Sequence, residues 1–180
     1  MALVFGPMPR VEVVRTYLQL ESRDHMVSVA AAPEGVSVHE LTPCPVAVSR
    51  RLYREVGERF HWVDRLSLSD EELATYLGRA DLRVFVARES NQDLGFFELL
   101  RHPDQSIEIA CFGLISQARG RGIGKWLLQR AVELAWEWGA PRIWLQTCTL
   151  DAPAALPNYL ARGFVVYRSE RFQQTIAEIT

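Results

Sequence analysis

The sequence predicts a mixed α/β fold: strands and helices around one largely antiparallel sheet, with helices flanking it. Three observations predict it. Three strand-like runs, at 83–89, 94–101 and 106–115, follow one another with only short turn-rich pieces between them, and short connections make antiparallel neighbours. A strand, a glycine-rich turn, a long helix and another strand then follow in order from 109 to 149, the succession of a mixed sheet. The chain has 180 residues, 48% of them apolar and 23% charged, enough to bury one real core.

In chain order, residues 1–35 read as an N-terminal extension and 36–180 as the main domain. The opening MALVFGPMPR has no basic region ahead of its short apolar stretch, so no secretory leader is expected. Val11–Glu21 is rich in β-branched residues and predicts an added strand. Ala30–Gly35 is a turn. Val36–Leu41 alternates as a strand does, and Pro43 and Pro45 end it. From Val46 to Phe60, the residues Val48, Leu52, Val56 and Phe60 recur every four positions, the stripe of an amphipathic helix. Ser69 with Glu72 three residues on forms a capping box that opens a second helix, and Gly78 stops it.

The runs at 83–89, 94–101 and 106–115 are separated by turns at 90–93 and 102–105. A long helix is expected over about 122–138, with Leu127, Ala131, Leu134, Ala135 and Trp138 on its apolar face and Gly139 at its end. A buried-type strand at 142–149, a short helix within 153–162 and a strand at 164–169 complete the pattern, with one more strand expected from the C-terminal segment.

The net charge of −2 gives no field to recruit nucleic acid or an anionic membrane. No run is long enough to span a bilayer. Cys44, Cys111 and Cys148 have neither CxxC nor Cys/His metal spacing, so no metal is expected, and an odd cysteine count without a framework fits the cytoplasm.

The chemistry concentrates in Arg119-Gly120-Arg121-Gly122-Ile123-Gly124. Glycines let backbone approach a ligand closely, and a helix start offers unpaired N–H groups and the positive end of a dipole. The combination suits pyrophosphate, with Arg119, Arg121 and Lys125 adding charge. A Walker A loop is excluded, because Arg119 stands where its first glycine belongs and Trp126 where Ser or Thr belongs. A dinucleotide fingerprint needs GxGxxG, and here the spacing is GxGxG. On the residues alone, an anion cradle and a tight turn with a basic face both remain open.

The loop resembles the acyl-coenzyme A signature of the GNAT superfamily, Arg/Gln-x-x-Gly-x-Gly/Ala, which Arg119–Gly124 fills without mismatch. The stretch from Asp151 to Phe164, with Tyr159 four residues before Gly163-Phe164, resembles that superfamily's later motif, departing at Ala152 where many members have Asn. Segments such as Leu52–Gly57, His61–Arg65 and Thr147–Asp151 are similar to a bacterial subgroup of unassigned substrate. The resemblance covers about 36–170.

It implies the GNAT fold for 36–180, acetyl-CoA as co-substrate, and transfer of the acetyl group to a primary amine by direct attack. The coenzyme would lie along Phe112, Gly113 and Leu114 and on Arg119, Gly120, Arg121, Gly122, Ile123, Gly124 and Lys125. Glu108, eleven residues before Arg119, matches the position of a glutamate base in one branch, with Glu98 its rival. Tyr159 matches the tyrosine that serves the leaving thiolate. The acceptor, a small-molecule amine or a lysine, would meet Tyr53, Trp62, Asp64 and Glu98, in a region that also holds His61 and Arg65. A homodimer is compatible with the resemblance. The alternative is a coenzyme-binding sensor on the same fold without turnover. An RNA module built on Arg-Gly-Arg-Gly is disfavoured by the charge and by the lack of aromatic and basic interleaving.

Overall fold

The computed structural model describes residues 10–28 and 31–176; the expectation of no leader falls largely on residues 1–9, outside the described part. The elements are β1 (Arg10–Leu20), β2 (Val36–Leu41), α1 (Val46–Gly57), α2 (Asp70–Leu77), β3 (Leu82–Glu89), β4 (Gln92–Arg101), β5 (Ile107–Leu114), α3 (Ile123–Glu137), β6 (Ile143–Cys148), α4 (Ala155–Ala161) and β7 (Val165–Thr175), with short 3-10 turns at Arg23–His25 and Ser116–Ala118. The seven strands form one sheet in the order β2-β3-β4-β5-β6-β1-β7. Every pairing is antiparallel except β5 with β6.

Alternation along the strands sends their side chains to two cores, because successive residues face opposite sides of a sheet. On one face, Phe97, Leu99, Ile107 and Ile109 pack under α3, which buries Ile123, Trp126, Leu127, Leu128, Ala131, Val132, Ala135 and Trp136. On the other, Val86, Phe96 and Cys111 lie under α1, and Leu82 and Val84 under α2. Leu127 and Leu128 are fully buried, so truncating either to Ala removes about 2–5 kcal/mol of stability.

Several boundaries differ from the sequence expectation. Helix α1 ends at Gly57, not Phe60, and buries Ser49, Leu52, Tyr53, Val56 and Gly57. The chain turns there because Trp62 folds back onto Gly57, where a Cβ would lie 2.2 Å from the Trp62 Cβ. In α3 the buried face is broader and rotated: Trp138 is the C-cap, with the guanidinium carbons of Arg83 and Arg101 at 4.3 and 4.6 Å from its ring centroid. The β3–β4 turn contains only Ser90 and Asn91, since Gln92 is already paired with Glu89. Among the described residues the C-terminal segment adds no separate strand; β7 runs unbroken to Thr175 because β1 pairs along it from Arg10 to Gln19. The N-terminal strand is thus an interior strand, with β6 on one side and β7 on the other.

Candidate active site

The site is built where β5 and β6 part. They pair only at Ile107 with Ile143 and Glu108 with Trp144, so the edge of β5 beyond Glu108 has no partner strand. On its other side β5 stays paired to β4 as far as Leu114, with a one-residue slip at Ala110. Such a bulge re-aims the side chains after it. Phe112 and Leu114 pack with the α3 core, while Cys111 packs with the α1 core. Gly113 admits the close approach of α1: a Cβ there would lie 2.2 Å from Val56 Cγ1.

The gap leads to the glycine turn. Gly122, at φ 77°, is the N-cap of α3, a left-handed conformation that glycine adopts without penalty. No side chain caps this helix and no acidic residue stands in its first turn. Its first N–H groups are therefore available to an anion. At Gly120, also left-handed, a Cβ would meet no atom within 4 Å, so this bend of the loop is open.

The basic residues of the turn have separate roles. Arg119 is turned inward, donating from Nε to the Leu114 carbonyl at 3.1 Å and from Nη2 to the Val56 carbonyl at 3.0 Å, with its guanidinium 4.9 Å from the Phe60 ring centroid. Burial, then repulsion from Arg59, lowers its pKa. It clamps β5 to the end of α1. Arg121 donates to Glu89 at 2.6 Å. Lys125 is exposed and makes no ion pair among the described residues.

Three carboxylates lie around Cys111 of β5, Glu98 on the paired β4 side and Glu108 and Asp151 beside the gap. Glu98 is fully buried and held by Arg65 and by the Tyr76 hydroxyl at 2.9 Å, which Arg65 also contacts at 2.7 Å. Burial and the Glu98 charge push the Tyr76 phenol well above its ordinary value. Glu108, 7% exposed, accepts from His102 Nε2 at 2.9 Å and from Gln146 Nε2 at 3.4 Å, at the apex where the strands separate. Asp151, just after β6, accepts through Oδ2 from the Thr147 hydroxyl at 2.7 Å and the Cys148 N–H at 2.8 Å, and through Oδ1 from Trp62 Nε1 at 3.4 Å. Burial and then Glu98, with Glu108 and Asp151 adding to it against Arg65, raise the pKa of the Cys111 thiol. These groups therefore converge around one point of β5.

Tyr159 approaches from α4. It is 7% exposed, with its ring packed edge-on against Phe112 and Phe164 at 6.2 Å in each case. Its hydroxyl makes no hydrogen bond with the described residues. Burial first, then the Asp151 charge and Cys111, push the phenol well above its ordinary value, so it stays protonated.

Of the expected acceptor residues, Tyr53 and Trp62 pack at a tilt of 44° with centroids 5.2 Å apart, and Glu98 lies behind Arg65. Asp64 is exposed. Sequence reasoning missed His102, which sits in a stretch read only as a turn, and the role of Asp151. Its place directly after a buried strand and before the α4 motif was the available signal.

The model of the acetyltransferase (GNAT) family matches residues 48–164, which include the parted strands, the glycine turn and α4. The chain belongs to the GNAT acetyltransferase family. A streptothricin acetyltransferase of Streptomyces lavendulae is 34% identical over 87 residues, 47% of this chain and 46% of that protein. A mycothiol acetyltransferase of Corynebacterium efficiens is 27% identical over 143 residues, 74% of this chain and 47% of that protein. The chain spans about half the length of these curated relatives. A GCN5-related N-acetyltransferase structure from Sphaerobacter thermophilus superposes with a TM-score of 0.69 at 17% identity, over 97% of this chain and 56% of that one. That likeness establishes the shared fold. No helix among the described residues is long and apolar enough to cross a membrane.

Proposed function

We propose that this chain transfers an acetyl group from acetyl-CoA to a primary amine of a small molecule, by direct attack of the amine. The observation that carries this reading is the continuity of the unpaired β5 edge with the uncapped N-terminus of α3. An extended arm laid along β5 would deliver its phosphates to the helix N–H groups, with Lys125 free to add charge. When bound, acetyl-CoA supplies an activated acyl carbon and a thiolate leaving group. The residues 36–180 carry this machinery, and β1 completes their sheet.

The rest falls to the chain's own residues. An alkyl amine with a pKa of ~10.4 arrives charged at neutral pH, and Glu108 accepts its proton directly or through one water. His102, bonded to Glu108 and about one-third exposed, holds that carboxylate in place at the gap. As the new N–C bond forms and the C–S bond breaks, Tyr159 hydrogen-bonds the departing sulfur, and the second proton lost by the nitrogen replaces the one the sulfur takes. Its raised pKa keeps the hydroxyl protonated, so it meets the thiolate as a hydrogen-bond donor. A small-molecule acceptor is supported by the names of the relatives, which act on streptothricin and on the mycothiol system. Three free thiols among the described residues support a reducing, cytoplasmic setting.

Calorimetric titration with acetyl-CoA tests the reading. Binding should be micromolar and should raise the melting temperature by mass action. Gly122→Val should abolish it, since a β-branched residue is strained at φ 77° and its side chain would stand between the backbone and the phosphates. Full affinity in that variant would overturn the phosphate-loop assignment.

A further inference from the structure

Glu98, Glu108 and Asp151 all act on Cys111 of β5 but differ in their state of pairing. Glu98 is neutralised by Arg65, and Glu108 is bonded to His102. Asp151 has no salt-bridge partner among the described residues. Its Oδ2 is fully used by the Thr147 hydroxyl and the Cys148 N–H. Its Oδ1 receives only the long 3.4 Å contact from Trp62 Nε1. A carboxylate oxygen accepts more than one hydrogen bond, so Oδ1 has capacity left.

A second observation points to a ligand at the same place. Tyr159 is more than nine-tenths buried, yet its hydroxyl has no partner among the described residues, and the first charge acting on it is Asp151. That hydroxyl is not sealed off from solvent, so it is open to hydrogen-bond a molecule from outside the chain. Trp62 presents its indole N–H to Asp151, packs at a tilt against Tyr53 and lies close to Gly113. A carboxylate oxygen beside packed aromatic rings is a setting for an organic ammonium ion, which gains a charge-assisted hydrogen bond there while the rings line the approach for its hydrocarbon part.

We propose that Asp151 is the acceptor-binding carboxylate of this protein: Oδ1 takes the ammonium group of a cationic primary amine, with Trp62 as the aromatic wall beside it. This rests on the acetyl-transfer reading for its purpose but not for its test. It assigns Asp151 the role that the sequence assigned to the exposed Asp64. It also gives Trp62 a double use. Its N–H holds Oδ1 while no amine is present, and an arriving ammonium, a stronger charge-assisted donor, takes over that oxygen.

The test is titration of the full chain, saturated with coenzyme A, with benzylamine and with spermidine, against neutral benzyl alcohol. The wild type should bind at least one amine saturably. Asp151→Asn keeps an oxygen for Thr147 and Cys148 but places an NH2 where Oδ1 was. It should weaken amine binding at least tenfold and leave benzyl alcohol and coenzyme A unchanged. Asp151→Glu should restore part of the amine affinity, and Asp151→Ser stands in should the amide variant fail to fold. Failure of the wild type to bind either amine, unchanged amine affinity in Asp151→Asn, or equal weakening of amine and alcohol would each overturn the proposal. A separate titration with coenzyme A alone reads the other question: if the coenzyme does not bind but the amine result holds, the acetyl-transfer reading falls and the ammonium seat stands.

Discussion

Glu98 and Glu108 lie on neighbouring strands, and each could be taken for a base from its sequence context. Their surroundings separate them. Glu98 is wholly buried against Arg65, so Glu98→Gln strands a buried guanidinium and should lower stability by about 3–5 kcal/mol. Denaturant unfolding measures that. Glu108 touches a half-buried histidine at the mouth of the gap, so Glu108→Gln should fold normally, bind acetyl-CoA, and lose ~10²–10⁴ in kcat/KM. Activity should recover in part as pH rises, because more of the amine arrives neutral. If Glu98→Gln shows that rescue and Glu108→Gln does not, the roles are reversed. Tyr159→Phe removes one hydroxyl and keeps the packing on Phe112 and Phe164. Stability and coenzyme affinity should hold while kcat and kcat/KM fall together, as they do when an interaction belongs to the transition state. A donor with a more acidic thiol should be less sensitive to the change. Equal sensitivity would leave Tyr159 with a positioning role only.

At the scale of elements, the β3–β4 turn is tied to α1 by Asp93, which bonds Arg88 at 2.7 Å and also pairs with Arg51. Burial of Asp93 opposes its ionisation, but hydrogen bonds and charge from Arg88 and Arg51 outweigh it and hold the pKa below the usual carboxylate value. A lowered folded-state pKa stabilises the protein above the unfolded-state value, and the contribution fades as pH falls through the folded one. Asp93→Asn should therefore destabilise near pH 7 and match the wild type in strong acid; a stability difference independent of pH would rule this out. Elements governed by neighbours in sequence were legible: Ser69 and Glu72 form the reciprocal cap they announce, and α2 begins at Asp70. What depended on distant partners was not. The end of α1 is set by Trp62 seated on Gly57, and β7 runs on because β1 lies beside it. In the same way, the pattern Arg119–Gly124 revealed the turn but not that Arg119 faces inward to bind the Val56 carbonyl. Asp151 was visible as the first residue of the later motif but without a role, since its contact with Trp62 comes from 89 positions away.

At the scale of the molecule, β1 joins two strands that do not touch each other: β6 pairs with it from Ile143 to Cys148, and β7 pairs along nearly its whole length. Removing residues up to Leu20 should leave both strands with open inner edges, which pair readily with other chains. The shortened protein should aggregate, and a synthetic peptide of residues 10–20 added during refolding should recover soluble material that binds acetyl-CoA. A shortened chain with the wild-type melting temperature would show that β1 is dispensable. The same arrangement matters during synthesis. Translation at ~5–20 residues per second puts on the order of ten seconds between the making of β1 and the emergence of β6, its first partner. Through that interval Val13, Leu18 and Leu20, which end almost wholly shielded, are a greasy ribbon on the ribosome with nowhere native to go, so a chaperone that grips short extended apolar segments would find its grip here first.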